Sequence, residues 1–476
     1  MTEGVGAAPV APLAADVRQV ADLVLAELRA ALPPDAVSID GTTLRARSQD
    51  ASSTPAGRPL AVVSPRSTDE VSAVARVAHA HGVPLVPQGA LTGLAGGANA
   101  VDGAILVDLT RMDAILRIDP VDLVAVVQPG VVTDVLARAA ADRGLFYPPD
   151  PASAASCTIG GNIATNAGGM RCVKYGVTRD VVRSLEVVLA DGRVLRTGSP
   201  TVKGVASLDL TALVVGSEGT LAIVTEATLG LLPAPGSSRG LCATFATSDD
   251  ALATANAIMA GPHRPSTLEY LDGIVLAAIS AFEPAADLPA GAQALLLALT
   301  DARAGGAEDV AGYERAAREH GALGVALATE PEQLDALLSA RRAFNPAMRA
   351  LRGGSLNEDV AVPRTRLPEL LSRLAALSVE IGLPIGNGGH VGDGNLHPVV
   401  AYDPDDDAQR SAAERAHERI LALAVELGGT VTGEHGIGLE KRAALDNELG
   451  PTVRELQRAI KAGFDPAGIL NPGKKL

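Results

Sequence analysis

Pro87-Gln88-Gly89-Ala90-Leu91-Thr92-Gly93-Leu94-Ala95-Gly96-Gly97 follows directly on the short apolar stretch Leu85-Val86. A glycine-rich loop leaving a short strand turns successive backbone N–H groups toward one point, an arrangement suited to a phosphate. A second such region spans residues 148–176 and contains Cys157-Thr158-Ile159-Gly160-Gly161-Asn162 and Thr165-Asn166-Ala167-Gly168-Gly169. Neither is a G-x-G-x-x-G opening a helix, and neither is a P-loop, so the Rossmann and nucleotide-triphosphate readings fail. Thr92, Ser153, Ser156, Thr158, Asn162, Thr165 and Asn166 add hydrogen-bonding groups. Together the loops point to a large polar cofactor held through its pyrophosphate.

Around the first loop the pattern is α/β. Residues 60–63 read as a strand, and Ser67-Thr68-Asp69-Glu70 has the spacing of a capping box for a helix running to about His81. Residues 104–109 and 123–127 read as strands, and residues 132–143 as a helix. Asp191-Gly192 between apolar runs predicts a hairpin. Residues 213–215 and 221–225 read as strands on either side of Gly216-Ser217-Glu218-Gly219-Thr220. Residues 233–238 read as a linker, after which strands and helices alternate again. The expected domains are a disordered tail (1–16), a cofactor domain (17–235), a cap domain (236–429) and a C-terminal segment (430–476).

The 476 residues carry a net charge of −15, with 47% hydrophobic, 20% charged and 2% aromatic residues. This is a globular composition whose core must be aliphatic. The negative charge argues against a nucleic-acid partner. A small anionic substrate would need local positive charge. Cys157, Cys172 and Cys242 form no C-x-x-C pair, which argues against a disulfide framework or an iron–sulfur cluster and fits a reducing cytoplasm. The N-terminus does not read as a secretory signal, and no apolar run is long enough to span a bilayer. Peripheral attachment to a membrane stays open.

Gly386-Asn387-Gly388-Gly389-His390-Val391-Gly392-Asp393-Gly394-Asn395-Leu396-His397 and Gly433-Glu434-His435-Gly436 hold three of the eight histidines. Two imidazoles and a carboxylate suit Zn²⁺ and its first-row neighbours in an open catalytic site. If the two stretches meet, they supply three ligands and one spare imidazole.

These residues carry a family resemblance. Pro87-x-Gly89-x-x-Thr92-Gly93-Leu94-x-Gly96-Gly97, Ser156 to Asn162, Asn166-Ala167-Gly168-Gly169, Lys174-Tyr175-Gly176 and Gly216 to Leu221 resemble the FAD-binding domain of the vanillyl-alcohol-oxidase superfamily. Residues 388–397, Gly433 to Gly438 and Asn471-Pro472-Gly473-Lys474 resemble its FAD-linked D-2-hydroxyacid dehydrogenase branch, which oxidises D-lactate, glycolate or D-2-hydroxyglutarate. The resemblance implies an α+β fold: a two-lobed FAD domain, a cap of antiparallel sheet with helices, and a C-terminal return to the flavin. It implies FAD contacts from Pro87, Gly89, Thr92, Gly93, Leu94, Gly96, Gly97, Pro151, Ser156, Cys157, Thr158, Gly160, Gly161, Asn162, Asn166, Gly168, Gly169, Tyr175, Gly176, Glu218, Gly219, Ile223 and Asn471. Some superfamily members attach FAD through a histidine of the first loop. Gln88, Ala90 and Leu91 offer no such group, so noncovalent FAD is expected.

By resemblance, His390, His397 and Glu434 are ligands of a divalent metal, Zn or Mn, and His435 is the base. A bound ion would chelate the hydroxyl and carboxylate oxygens of a D-2-hydroxy acid, the proton passing to His435 and the hydride to the flavin. Leu334, Leu337, Leu338 and Arg341 fall on one helical face, which turns Arg341 inward and Arg342 off it. The run ending at Arg341 is also similar to the family's substrate-carboxylate arginine. Phe344, Asn345 and Asn357 stand where relatives acting on a second carboxylate carry further polar or basic groups. A small substrate, D-lactate or glycolate, is therefore favoured over D-2-hydroxyglutarate. A metal-dependent hydrolase is the reading from another class, but it leaves both glycine loops unexplained. The electron acceptor is open, and a homodimer is an open expectation.

Overall fold

The computed structural model describes residues 15–283 and 291–476, with side chains from Arg18 onward. Residues 1–14 of the expected tail lie outside the described residues. Ala15 and Asp16, assigned to that tail from sequence, belong instead to the helix Ala15–Ala31. Alanine favours helix, and an acidic residue beside a helix N-terminus is favourable.

The first lobe is a four-stranded sheet in the spatial order Val37–Ser38, Ala61–Val63, Ile105–Asp108, Leu85–Gln88. Its last three strands are parallel, which requires crossover connections. The helix Thr68–His81 supplies one. Ser67 Oγ accepts from Glu70 N at 3.3 Å at its start, and Gly82, at φ 65°, ends it. Glu70 returns its carboxylate to Arg66 N at 2.8 Å.

The second lobe is a five-stranded antiparallel sheet ordered Ile115–Asp119, Val124–Val127, Ile223–Gly230, Val182–Val188, Val194–Gly198. The last two strands form the hairpin expected at Asp191-Gly192, with Gly192 at φ 84°. One expectation fails here. Residues 213–215 are not a strand: Leu210–Val214 is a short helix, capped by Asp209 accepting from Ala212 N. The apolar run Leu213-Val214-Val215 is ambiguous at that length, and the local cap decides it. Pro233, read as the start of a linker, pairs with Leu145 in a two-stranded ladder.

The third sheet has eight antiparallel strands. Seven run in the order Gly324–Ala328, Arg239–Phe245, Ala294–Thr300, Thr267–Asp272, Ile385–His390, Asn395–Tyr402, Gly354–Asn357, and Val360–Ala361 pairs along Asn395–Tyr402. Alternation of side chains sends Leu268, Tyr270, Leu296 and Ala298 to one face, under the helices Ser248–Ala260, Gly306–Glu319, Leu367–Ile381 and Asp407–Glu426. Leu271, Leu295, Leu297 and Leu299 go to the other face, under Gly273–Phe282 and Pro331–Ala350.

The chain then returns to the first lobe. Leu470 bridges to Leu85 in parallel. Asn471 Nδ2 donates to Gly97 O and Glu218 O, and the buried Lys474 Nζ donates to Gly97 O, Asn99 O and Asn471 Oδ1. Lys474→Ala deletes those three bonds and leaves buried acceptors unpaired, each worth about 1–3 kcal/mol. The expected loss is about 2–4 kcal/mol in urea unfolding monitored on the first lobe. A variant as stable as the parent contradicts this role for the C-terminus.

Candidate active site

The two histidines of residues 386–397 are seven apart, and on one continuous strand they would face opposite ways. The hairpin reverses this. His390 pairs with Asn395, and Gly388 with His397, across Ile385–His390 and Asn395–Tyr402. Both imidazoles therefore lie on one face, with ring centroids 5.3 Å apart at 87°. Gly389, beside them at φ 146°, has a backbone no side-chain-bearing residue readily adopts.

Glu434 enters from the C-terminal segment. Its Oε1 lies 3.6 Å from His390 Nε2, 3.3 Å from His397 Nε2 and 3.9 Å from His435 Nε2. His435 stacks on His397 at 5.2 Å and 17°. One carboxylate oxygen is thus ringed by three imidazole nitrogens. Burial works against the Glu434 carboxylate, but hydrogen bonds from His390 and His397 prevail and hold it well below its usual range. Burial holds the His435 imidazole below the ordinary histidine value, against the attraction of Asp359.

Two carboxylates that no motif announced organise this set. Glu269 stands directly opposite His390 in the sheet. Its Oε1 meets His390 Nδ1 at 2.5 Å, while its Oε2 accepts from Arg341 Nε at 2.7 Å. Burial would raise the Glu269 carboxyl, but His390 and Arg341 outweigh it and bring it to about 2. Fixing Nδ1 leaves His390 Nε2 turned toward Glu434. Asp359 accepts from Glu434 N and His435 N at 2.9 Å each, from Thr432 Oγ1 at 2.8 Å and from Asn395 Nδ2 at 2.8 Å. Arg341 lies over the buried Phe344 ring at 5.7 Å, whereas Arg342 is exposed and pairs with Asp335.

A cavity of about 430 Å³ runs between the two lobes and ends at Glu434 and His435. Pro87, Gly89, Thr92, Gly93, Leu94, Gly97, Pro151, Cys157, Thr158, Gly160, Gly161, Asn162, Gly168, Glu218, Gly219 and Ile223 line it. Gly168 is required by proximity: a Cβ there would sit 2.8 Å from Glu434 Oε2. Among the described residues no Lys or Arg lines the cavity. The amides of residues 90–94 donate to no other described group, so an anion here would meet backbone N–H.

The other expected cofactor residues stand behind the wall. Tyr175 OH donates to Asp301, and Gly176 ends the turn Cys172–Tyr175. Asn166 caps Ile159–Thr165 and accepts from Arg179 N. Ser156 is bonded to Ser153 O, and Gly169 packs on Asp150. Gly96 is hemmed by Thr54, Asn99 and Leu439, while Asn471 braces Gly97 and Glu218. Their glycine and amide chemistry shapes the loops without facing the cavity.

A two-lobed fold with a cavity lined by unpartnered amides and capped by an antiparallel sheet defines a flavin-linked oxidoreductase. The FAD binding domain profile matches residues 59–198, and the profile of FAD linked oxidases, C-terminal domain, matches residues 234–475. The chain belongs to the FAD-linked oxidase family. It is 42% identical over 417 residues to the glycolate oxidase subunit GlcD of Bacillus subtilis, covering 87% of this chain and 88% of that one. It is 36% identical to the D-lactate dehydrogenase of Anaerostipes hadrus, with 88% and 89% covered. Among solved structures, p-cresol methylhydroxylase shares the fold at a TM-score of 0.77 and 19% identity over 96% of this chain and 97% of that one. No helix among the described residues is long and apolar enough to cross a membrane.

Glu269→Gln keeps the side-chain volume but loses the charge that fixes His390 and Arg341. If His390 holds a divalent ion, losing the carboxylate behind its other ring nitrogen should weaken that ion by about 10- to 100-fold. Competition with a chromogenic chelator should show that loss for Zn²⁺. Unchanged affinity would remove Glu269 from the site.

Proposed function

We propose that this chain oxidises a small D-2-hydroxy acid, D-lactate or glycolate, to the 2-oxo acid, using noncovalent FAD and a divalent metal. The observation that carries the reading is the ring of His390, His397 and His435 nitrogens around Glu434 Oε1 at the end of the cavity. The donor set fits a metal: one nitrogen from each of His390 and His397 and one oxygen of Glu434 lie within 4.8 Å of one another. Two imidazoles and a carboxylate suit Zn²⁺ or Mn²⁺. The unpartnered amides of residues 90–94 fit a pyrophosphate. Relatives named glycolate oxidase and D-lactate dehydrogenase support the substrate class.

When bound, FAD supplies a two-electron acceptor and the metal a Lewis acid that acidifies the substrate hydroxyl. The residues do the rest. His390, His397 and Glu434 would hold the ion. His435, on the cavity side and kept neutral by burial, accepts the hydroxyl proton. Arg341 pairs with the substrate carboxylate through the guanidinium nitrogens that Glu269 leaves unused. Glu269 and Asp359 prevent these groups from rotating away. Asn357 donates to Asn345 at 3.4 Å, and neither carries charge, which favours a substrate with one carboxylate.

Anaerobic bleaching of the flavin by D-lactate or glycolate, and not by L-lactate, tests the reading; no bleaching by any 2-hydroxy acid sinks it. His390→Ala and His397→Ala should lose metal and turnover yet keep FAD, because the phosphate-facing loops lie elsewhere. His435→Ala should keep metal while flavin reduction slows by about 10²–10⁴. If His435→Ala loses metal and keeps a normal rate per remaining ion, the roles are wrong. Arg341→Ala should lower kcat/KM by roughly 10- to 150-fold, the loss of a hydrogen bond to a charged group, mainly through KM. An unchanged kcat/KM would assign the carboxylate to another cation.

A further inference from the structure

Next to Asp359, and sharing no residue with the cavity wall, lies a second set of metal-ligand side chains. Glu358 precedes the strand Val360–Ala361, His417 is on the helix Asp407–Glu426, and Glu440 is in the C-terminal segment. One ligand atom from each lies within 4.8 Å of the others. Glu358 is fully buried. Its Oε1 meets His417 Nδ1 at 2.5 Å, but its Oε2 has no hydrogen-bond partner among the described residues. A buried carboxylate oxygen without a partner is costly, which singles it out as a group built to meet something else. The neighbouring Lys441 does not meet it: Lys441 Nζ donates to Asp359 O and Val431 O at 2.9 Å each. Burial, then the Glu358 charge, pushes the Glu440 carboxyl above its usual range. Two acids sharing one imidazole are thus only partly compensated.

We infer that Glu358, His417 and Glu440 form a second divalent-cation site, separate from the one at Glu434, taking a first-row ion such as Mn²⁺ or Zn²⁺. One imidazole and two carboxylates suit those ions better than Ca²⁺ or Mg²⁺, which favour all-oxygen sets. The three ligands come from three segments: a sheet connection, a helix packed on the sheet, and the C-terminal return. An ion here would lock them together. Because Glu358 is bonded in sequence to Asp359, it would also hold the carboxylate that grips Glu434 N and His435 N. The ion is a brace and touches no substrate.

The test counts ions. The FAD-loaded protein is stripped with chelator, reloaded with Mn²⁺, freed of excess by gel filtration, and analysed for manganese per chain. The unmutated protein should retain two equivalents. His417→Ala and Glu440→Gln should retain one, as should His390→Ala, and the double variant His390→Ala/His417→Ala none. The second equivalent should raise the unfolding temperature of the unmutated protein but not of Glu440→Gln. Glu440→Gln preserves shape, so it carries the test if His417→Ala does not fold. The count of two rests on the ion proposed at Glu434, and the failures separate: one equivalent kept in His390→Ala and lost in Glu440→Gln removes the Glu434 ion and upholds this site. A single equivalent in the unmutated protein, lost in His390→Ala, overturns the inference. Two equivalents persisting in both His417→Ala and Glu440→Gln overturn it as well.

Discussion

The site depends on two buried carboxylates that grip one short crossing of the chain from opposite sides. Asp359, from the cap sheet, accepts the amides of Glu434 and His435. Glu218, just before the second-lobe strand Ile223–Gly230, accepts those of Ile437 and Gly438 at 2.8 and 2.7 Å. Residues 434–438 pair with no strand, and Gly436 N donates to Thr432 Oγ1, so without these partners the other four N–H groups would be orphaned in the interior. The carboxylates, conversely, would bury uncompensated charge at several kcal/mol each. Each solves the other's problem. Burial would raise Asp359, but attraction from His435, Lys441 and His397 prevails and holds it ionised. Glu218 accepts a left-handed backbone, φ 55°, to reach its place, which costs of order 1–3 kcal/mol and persists only where the surroundings over-determine it. Glu434 and His435 are thus held from both sides, by Asp359 on one and by the Glu218 grip on the next two amides on the other.

The sheet then does for the histidines what these carboxylates do for the crossing. Glu269, His390 and Asn395 form one transverse row over three neighbouring strands, and Asn395 is in turn bonded to Asp359. Register is what makes this row. A slip of one residue between Thr267–Asp272 and Ile385–His390 would turn Glu269 to the opposite face and leave His390 Nδ1 without its partner. The flanking apolar rows resist such a slip, because Leu268 and Tyr270 on one face and Leu271 on the other are packed against helices.

Much of this was legible in the sequence where chemistry and spacing are local. The glycine loops, the Asp191-Gly192 hairpin, the Ser67 cap and the clustering of His390, His397, Glu434 and His435 all lie within short windows. Glu269 and Asp359 were not legible. Glu269 acts on His390 and Asp359 on Glu434, 121 and 75 positions away, and neither a lone acid in an apolar strand nor an acid in a short connection has a signature until pairing is known. The inward placement of Arg341 followed from helical spacing, but its bond to Glu269 did not. Leu213-Val214-Val215 misled because its apolar residues describe burial, while Asp209 and the turn at Gly216 set the backbone. What could not be read from sequence is that Tyr175 OH donates to Asp301 and that Asn166 Oδ1 accepts from Arg179 N.

A chain of net charge −15 that binds anions must manage its own acids near the site. Among the described residues three carboxylates line the cavity: Asp50, Glu218 and Glu434. Asp50 is occupied with Ser52 N at 3.0 Å and Ala98 N at 3.3 Å, which ties it into the first glycine loop. Glu218 is occupied with Ile437 N and Gly438 N. In both, the negative charge is spread into backbone amides. Glu434 differs because its side-chain neighbours are imidazoles. An imidazole nitrogen can give up its proton to a metal, whereas a backbone amide cannot. Among the described residues of this wall, Glu434 is thus the carboxylate whose surroundings match the metal role proposed for it.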